Sequence, residues 1–393
     1  MARSDAAGSM DPGLAGGPAE PAGKLSEPRG REEPAGGREP AAAVAWARVP
    51  ATTANLGPGF DCLGMALSGL ELRAWLAPSS PDPAGWDRDE EDVTWELYGE
   101  GPATDPPGSN LVVRAIKAAF ARAAQRHPAS WRLEVASAIP PARGLGSSAA
   151  AIVAGLAVAN EWLRLGGRAL SGSELLDLAA EIEGHADNVA AALFGGVAVV
   201  WQAGTPPQQP VQPPEGRWRV LSFRPRCSLL AVLAVPDCHA LTHAARAALP
   251  AVIPHRDAVF NQSRVALLTL ALSAGRVDLL REAMQDRLHE PYRMRLFPWL
   301  EGLVATAVEA GAEGACLSGA GPSVLALVQG EKVQQVAEAM RKRLLAEGIA
   351  GTVYICRVGP GKRSGIVGRR RGRRLRLRAG ARTPRQSRRA SDQ

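Results

Sequence analysis

A disulfide framework needs a dense, even set of cysteines, and a zinc ribbon or thioredoxin-type pair needs C-x-x-C; this chain has neither. Its five cysteines, Cys62, Cys227, Cys238, Cys316 and Cys356, are odd in number, far apart across 393 residues, and free of any C-x-x-C. Such usage points to a reduced, cytoplasmic setting. Long apolar runs are also missing: no stretch approaches the roughly 20 uncharged apolar residues that a bilayer requires, so no membrane partner is expected. Residues 1–43 lack the apolar core of a secretory signal. His239-Ala-Leu-Thr-His243 lacks the Glu of H-E-x-x-H, which argues against zinc. No internal repeat is visible.

What the chain does have is bulk, with 46% hydrophobic and 22% charged residues, 42 Gly and 31 Pro, enough for two globular domains of ordinary size. The net charge of +7 is unevenly spread. Residues 361–393 hold 13 Lys and Arg against one Asp, a net of +12, which leaves the other 360 residues at −5. A basic tail of this kind attracts polyanions nonspecifically. No aromatic residue interleaves it, so base stacking is not supported and no specific nucleic-acid partner is expected. Residues 1–43 carry hardly any large apolar side chain and are expected to be disordered, as is the tail at 361–393.

Between these ends the pattern is mixed. Val44–Val49 alternates as a strand and feeds an expected loop from Pro50 to Gly64, and residues 78–109 read as a surface excursion with one strand around Val93–Tyr98. Helical spacing runs from Leu111 to Arg126, with Ser109 or Asn110 as N-cap, and Trp131–Ala136 alternates again. A helix at 149–165, apolar on nearly all faces, predicts burial inside a domain, and a further helix fits Gly172–Glu183. A strand around 197–201 precedes five prolines in residues 203–217, read as a linker. The second half predicts a strand at Leu229–Val235, helices around 256–274, 276–288 and 298–310, strands flanking Leu317–Ser323, and a last helix stopped by Gly348. These elements make a mixed α/β or α+β protein in two domains, spanning 44–205 and 218–360.

Strand, glycine loop and buried helix follow one another at Pro140-Pro-Ala-Arg-Gly-Leu-Gly-Ser-Ser-Ala-Ala, residues 140–150. A phosphate chain needs many donors in a small concave space, and small residues entering a helix supply backbone N–H groups aimed by the helix dipole. The loop lacks the lysine of a Walker A motif, so it is not a P-loop.

Pro50–Leu67, Pro140–Ala151, Glu183–Gly196 and Leu317–Ser323 together resemble the successive motifs of the GHMP kinases. Their fold joins a ribosomal-protein-S5-like ATP-binding domain to a ferredoxin-like α+β domain. Within that superfamily, Pro50-Ala-Thr-Thr-Ala-Asn-Leu-Gly-Pro-Gly-Phe-Asp, Glu183-Gly-His-Ala-Asp-Asn-Val-Ala, Ala245-Arg-Ala-Ala-Leu-Pro and Asp286-Arg-Leu-His-Glu-Pro-Tyr-Arg resemble the homoserine kinase family, from about Val44 to Pro360. The resemblance implies transfer of the ATP γ-phosphate to the L-homoserine hydroxyl in threonine biosynthesis, with Mg²⁺ as cofactor.

By the same resemblance, Pro140, Pro141, Ala142, Arg143, Gly144, Leu145, Gly146, Ser147, Ser148, Ala149 and Ala150 form the ATP-binding signature. Ser147 or Ser148 would offer Mg²⁺ a hydroxyl, and Glu183, or Glu181 two residues away, a carboxylate. Arg246 and Arg293 match the family's carboxylate-binding arginines, and Asn55 and Asp61 its amino-group side, as a zwitterion requires. His185, Asp187 and Asn188 occupy the middle motif: Asn188 resembles the residue that holds the hydroxyl, while Asp187 is either a general base or a helix cap. The third glycine loop, Leu317–Ser323, is expected near the phosphates. Ala186 stands where the family often has Pro. Alternatives are a mevalonate-type kinase, or a non-catalytic relative binding nucleic acid through its tail. A homodimer stays open.

Overall fold

The computed structural model describes residues 43–79, 94–99, 108–126, 128, 130–203, 217–238 and 242–367. The expected N-terminal extension up to residue 42, the proline-rich linker at 204–216, most of the 78–109 excursion and the Arg-rich run from 368 lie outside them.

In chain order the elements are β1 (Val44–Asn55), β2 (Gly59–Pro78), β3 (Thr94–Gly99), α1 (Leu111–Arg122), β4 (Ser130–Ser137), α2 (Ser147–Leu165), α3 (Gly172–Glu183), α4 (Asp187–Phe194), β5 (Val197–Ala203) and β6 (Arg217–Phe223). They continue with β7 (Leu229–Pro236), α5 (Thr242–Ala247), α6 (His255–Ala274), α7 (Leu280–Ala283), α8 (Glu290–Arg293), α9 (Trp299–Glu309), β8 (Gly314–Leu317), β9 (Val324–Gln329), α10 (Val333–Ala346), β10 (Gly351–Arg357) and β11 (Arg363–Val367). The result is a mixed helix and sheet fold.

The first sheet runs β11-β1-β2-β4-β3, with β5 joining β2 and β6 joining β5; the second is antiparallel in the order β10-β7-β9-β8. Helix α2 lies against β1 and β2 on one side and α1 on another. Fourteen of its residues, from Ala149 to Leu163, are buried, which is why it is apolar all round. Strand β7 divides its side chains by the two-residue period. Ala231, Leu233 and Val235 join the main core shared with the first sheet. Val232 and Ala234 pack with α9 and α10 residues such as Leu303 and Met340. The main cluster therefore draws on both sheets, and a second cluster lies on the other face of the second sheet.

Three expectations are corrected. Residues 50–55 are strand, because Ala51, Thr52, Thr53 and Ala54 are small or β-branched and buried against β2; the turn comes at Asn55–Gly57, all with positive φ. The helix foreseen at 276–288 is broken into a 3₁₀ turn at Val277–Leu279 and the short α7. Polar side chains take over its backbone: Asp286 accepts from the N–H groups of Leu288, His289 and Glu290, and Asn261 accepts from Arg287.

The ordered chain also runs past Pro360, where the tail was expected to begin. Strand β11 pairs antiparallel with β1, from Val44 opposite Val367 to Arg48 opposite Arg363. The reason is that β1 would otherwise present an unpaired edge. The Ser364 hydroxyl adds a 2.8 Å hydrogen bond to Glu161 on α2.

Candidate active site

One cavity of about 570 Å³ gathers the ends of β1, β4, α3 and α4, the loop before α2, helix α5, α8 and the loop after β8. Of the expected site residues, Asn55, Asp61, Pro141–Ser148, Glu183, His185, Asp187, Asn188, Arg246 and Arg293 line it. Pro140, Ala149 and Ala150 do not; the two alanines are buried in α2 instead.

The glycine loop is shaped by close approach. Gly144 has φ +74 and Gly146 φ +67, and a Cβ on either would overlap the Ser318 carbonyl oxygen or the Thr52 hydroxyl respectively. Ser318 donates to the Gly144 carbonyl over 2.6 Å, so the third glycine loop does pack on the first. No side chain caps the N-terminus of α2, which opens on the cavity at Ser147 and Ser148. Its first backbone N–H groups thus remain for an anion.

Ser148 donates to Glu183 over 2.6 Å. Burial raises the Glu183 pKa above its ordinary value, against the lowering influence of Ser148 and of the His185 charge. Glu181 is directed elsewhere, in a 2.8 Å ion pair with Arg122 on α1. Beside them, Asp187 Oδ1 lies 2.7 Å from His185 Nδ1 and accepts the Asn188 backbone N–H at 2.7 Å. Asp187 is the first residue of α4, whose N-cap is Ala186, so the expected capping role does not apply. For His185, burial favours the neutral ring, but the bond to Asp187 and the carboxylates of Asp187, Glu183 and Asp61 outweigh it and raise the pKa. Asn188 Oδ1 accepts from Thr52 over 2.7 Å. Thr52 was not singled out in the sequence, since a hydroxyl in a small-residue strand carries no local signal.

Arg246, on the same cavity, grips Asp61 bidentately at 2.8 and 2.9 Å. Arg293, 3% exposed, donates to the Gly319 carbonyl over 3.0 Å. Both guanidinium groups stand over the Phe60 ring, at 5.5 and 5.1 Å from its centroid. Asn55 uses both ends of its amide, donating to Gly319 and accepting from the Asp61 N–H. Phe60 was also missed, because an aromatic in a glycine turn reads as ordinary packing. Arg143 reaches across to Asp237 at the end of β7, 2.9 Å away. The cavity lining also includes the apolar side chains of Leu72, Leu111, Val112, Val135 and Ile139.

The cavity thus holds both an uncapped helix N-terminus and a pair of opposite charges. The family description "GHMP kinases N terminal domain" matches residues 110–196, and "GHMP kinases C terminal" residues 268–345. The homoserine kinase of Parasynechococcus marenigrum (strain WH8102) is 44% identical over 302 residues, covering 77% of this chain and 89% of that one. The chain belongs to the homoserine kinase family. The crystal structure of homoserine kinase from Cytophaga hutchinsonii superposes with a TM-score of 0.69 at 29% identity, covering 82% of this chain and 97% of that one. The crystal structure of L. major mevalonate kinase in complex with R-mevalonate shares the fold alone, with a TM-score of 0.55 at 18% identity over 84% of this chain and 98% of that one. As a homoserine kinase family member the chain is an ATP-dependent kinase, and the mevalonate-type alternative is not favoured. Among the described residues no helix is long and apolar enough to cross a membrane.

Proposed function

We propose that this cavity phosphorylates the side-chain hydroxyl of L-homoserine with ATP, with the residues above in the following roles. The reading is carried by one observation, the placing of Asp61, Arg246 and Arg293 in the same cavity as the uncapped N-terminus of α2. Homoserine is a zwitterion; its carboxylate pairs with Arg246 and Arg293, and its ammonium with Asp61. The ATP phosphates lie on the Gly144–Ser148 backbone, and the apolar wall takes the adenine. The substrate hydroxyl oxygen forms the new bond to the γ-phosphorus as the bond to the ADP oxygen breaks. Positioning and charge neutralisation, rather than a covalent intermediate, supply the rate.

Asn188, held by Thr52, orients the hydroxyl. Asp187 spends Oδ1 on His185 and the Asn188 backbone and is nearly fully buried, which supports a positioning role, with the hydroxyl proton passing to the transferred phosphoryl group. Asp187→Asn then lowers kcat by about tenfold; a loss of about 10⁴ would instead mark a general base. Ser148 and Glu183 are hard oxygen donors 2.6 Å apart on the lining of the cavity, so the chemistry of the pair fits Mg²⁺. When bound there, the metal would neutralise phosphate charge. All five cysteines are free, in keeping with the cytoplasm.

The test is ADP release with Mg·ATP in the presence of L-homoserine, mevalonate, galactose, L-serine or L-threonine. Stimulation by homoserine alone is expected, and stimulation by another panel member in its place would overturn the substrate assignment.

A further inference from the structure

Arg293 carries five donors into a site where it is almost wholly buried, so its orientation depends on the acceptors around it. Two are backbone carbonyls, Gly319 at 3.0 Å and Ala245 at 3.4 Å. The third is an imidazole nitrogen, His289 Nδ1, 3.3 Å from Arg293 Nη1. The other ring nitrogen, Nε2, lies 2.7 Å from the carbonyl oxygen of Gly57. A carbonyl only accepts, so Nε2 carries the proton and Nδ1 presents a lone pair to the guanidinium.

Arg293 on Nδ1 and the Gly57 carbonyl on Nε2 fix this tautomer of the neutral ring. His289 is fully buried, with its ring centroid 5.3 Å from that of Phe60, the same ring that underlies Arg246 and Arg293. Burial and the Arg293 charge lower the His289 pKa, against Asp286, Asp61 and the bond to Gly57. Asp286 stands 3.9 Å from Nε2 and accepts the His289 and Glu290 backbone N–H groups, fixing the start of α8. His289 and Arg293 are then one helical turn apart on the same face.

We infer that His289 is a positioning residue for recognition of the substrate carboxylate, a neutral imidazole that aims Arg293 through its Nδ1 lone pair while anchoring the Gly57 turn through Nε2. The inference rests on the Arg293 assignment proposed above. Asparagine at this position places an amide near the Nδ1 site, whereas glutamine reaches the Nε2 site, so the two variants separate the two tasks.

His289→Asn is expected to keep KM for homoserine within about threefold of the parent, and His289→Gln to raise it about tenfold, with KM for ATP unchanged in both. Equal KM values in the two variants, or a lower one in His289→Gln, would overturn the inference and leave His289 a purely structural anchor. The ¹⁵N spectrum of the ring in the unaltered protein supplies a readout that needs no variant to fold: an unprotonated Nδ1 supports the inference, and a protonated Nδ1 overturns it. Arg293→Ala, assayed in parallel, keeps the two readings apart. A normal homoserine KM there removes the arginine assignment itself, while a raised one with equal Asn and Gln variants removes only the role of His289.

Discussion

Asp61 and Arg246 illustrate how single residues prepare this site. Without substrate they hold each other in a bidentate pair, with the arginine side chain 44% exposed. A zwitterion that brings both an ammonium and a carboxylate can replace each partner with its own opposite charge, so little interaction is lost on entry. Arg246→Ala and Arg293→Ala are expected to raise KM for homoserine by about tenfold to a hundredfold, as loss of a charge-assisted hydrogen bond implies, while sparing KM for ATP. Steady-state kinetics in both substrates checks this, and unchanged homoserine kinetics in both variants would end the zwitterion assignment. Ser148→Ala and Glu183→Gln should instead raise the Mg²⁺ concentration needed for half-maximal rate; normal magnesium dependence in either removes that residue from the proposed metal site.

At the scale of elements, β11 changes what a tail deletion means. Residues 361–367 include a strand paired to β1 and a hydrogen bond to α2, so they belong to the folded body. Removal of residues 368–393 is expected to leave both Tm and turnover unaltered. Removal of 361–393 strips β1 of its partner and should lower Tm by about 4 °C or more, measured by thermal unfolding. Equal Tm values for the two truncations would mean that β11 adds nothing to stability. The loop before α2 obeys a similar rule of close fit. Its glycines are demanded by Ser318 and Thr52, which approach from elements more than 90 residues away in sequence.

The whole molecule carries a pH dependence centred on Glu290, between α8 and the second sheet. The carboxyl is fully buried, accepts the Leu317 N–H at 2.6 Å, and is pushed up to about 8 from an ordinary 4.5, by burial first and by Asp286 second. A group whose folded pKa is raised contributes stability that is complete below its unfolded value and lost as pH rises through the folded one. Its contribution is therefore present below about 4.5 and gone above about 8. Glu290→Gln, neutral at every pH, should lose less stability than the parent between pH 5 and pH 8.5 in urea unfolding. Parallel pH profiles for the two proteins would show that the buried carboxyl is not the source.

Much of this was legible along the chain. The amphipathic period of α1, the all-apolar α2, the helical stretch of α3 and the glycine loop at 144–148 are local patterns, and each element formed where its pattern lay. Most of the residues proposed for the site came from motifs, and they line one cavity. The break at Met284–Leu288 and the strand at 50–55 were not legible, since Asp286 and Asn261 compete for backbone only once α6 and α8 are brought together, and Thr52 and Thr53 become strand only against β2.

By itself, then, the sequence determined the kinds of element, the glycine loop proposed for phosphate and the charged residues proposed for a zwitterion, all of which follow from local periodicity and residue chemistry. Tertiary structure alone decided that Asp61 faces Arg246, that Glu183 rather than Glu181 meets Ser148, that β11 closes the edge of β1, and that His289 stands behind Arg293. Those are contacts between residues distant in the chain, and their energies arise only when packing removes water from around both partners.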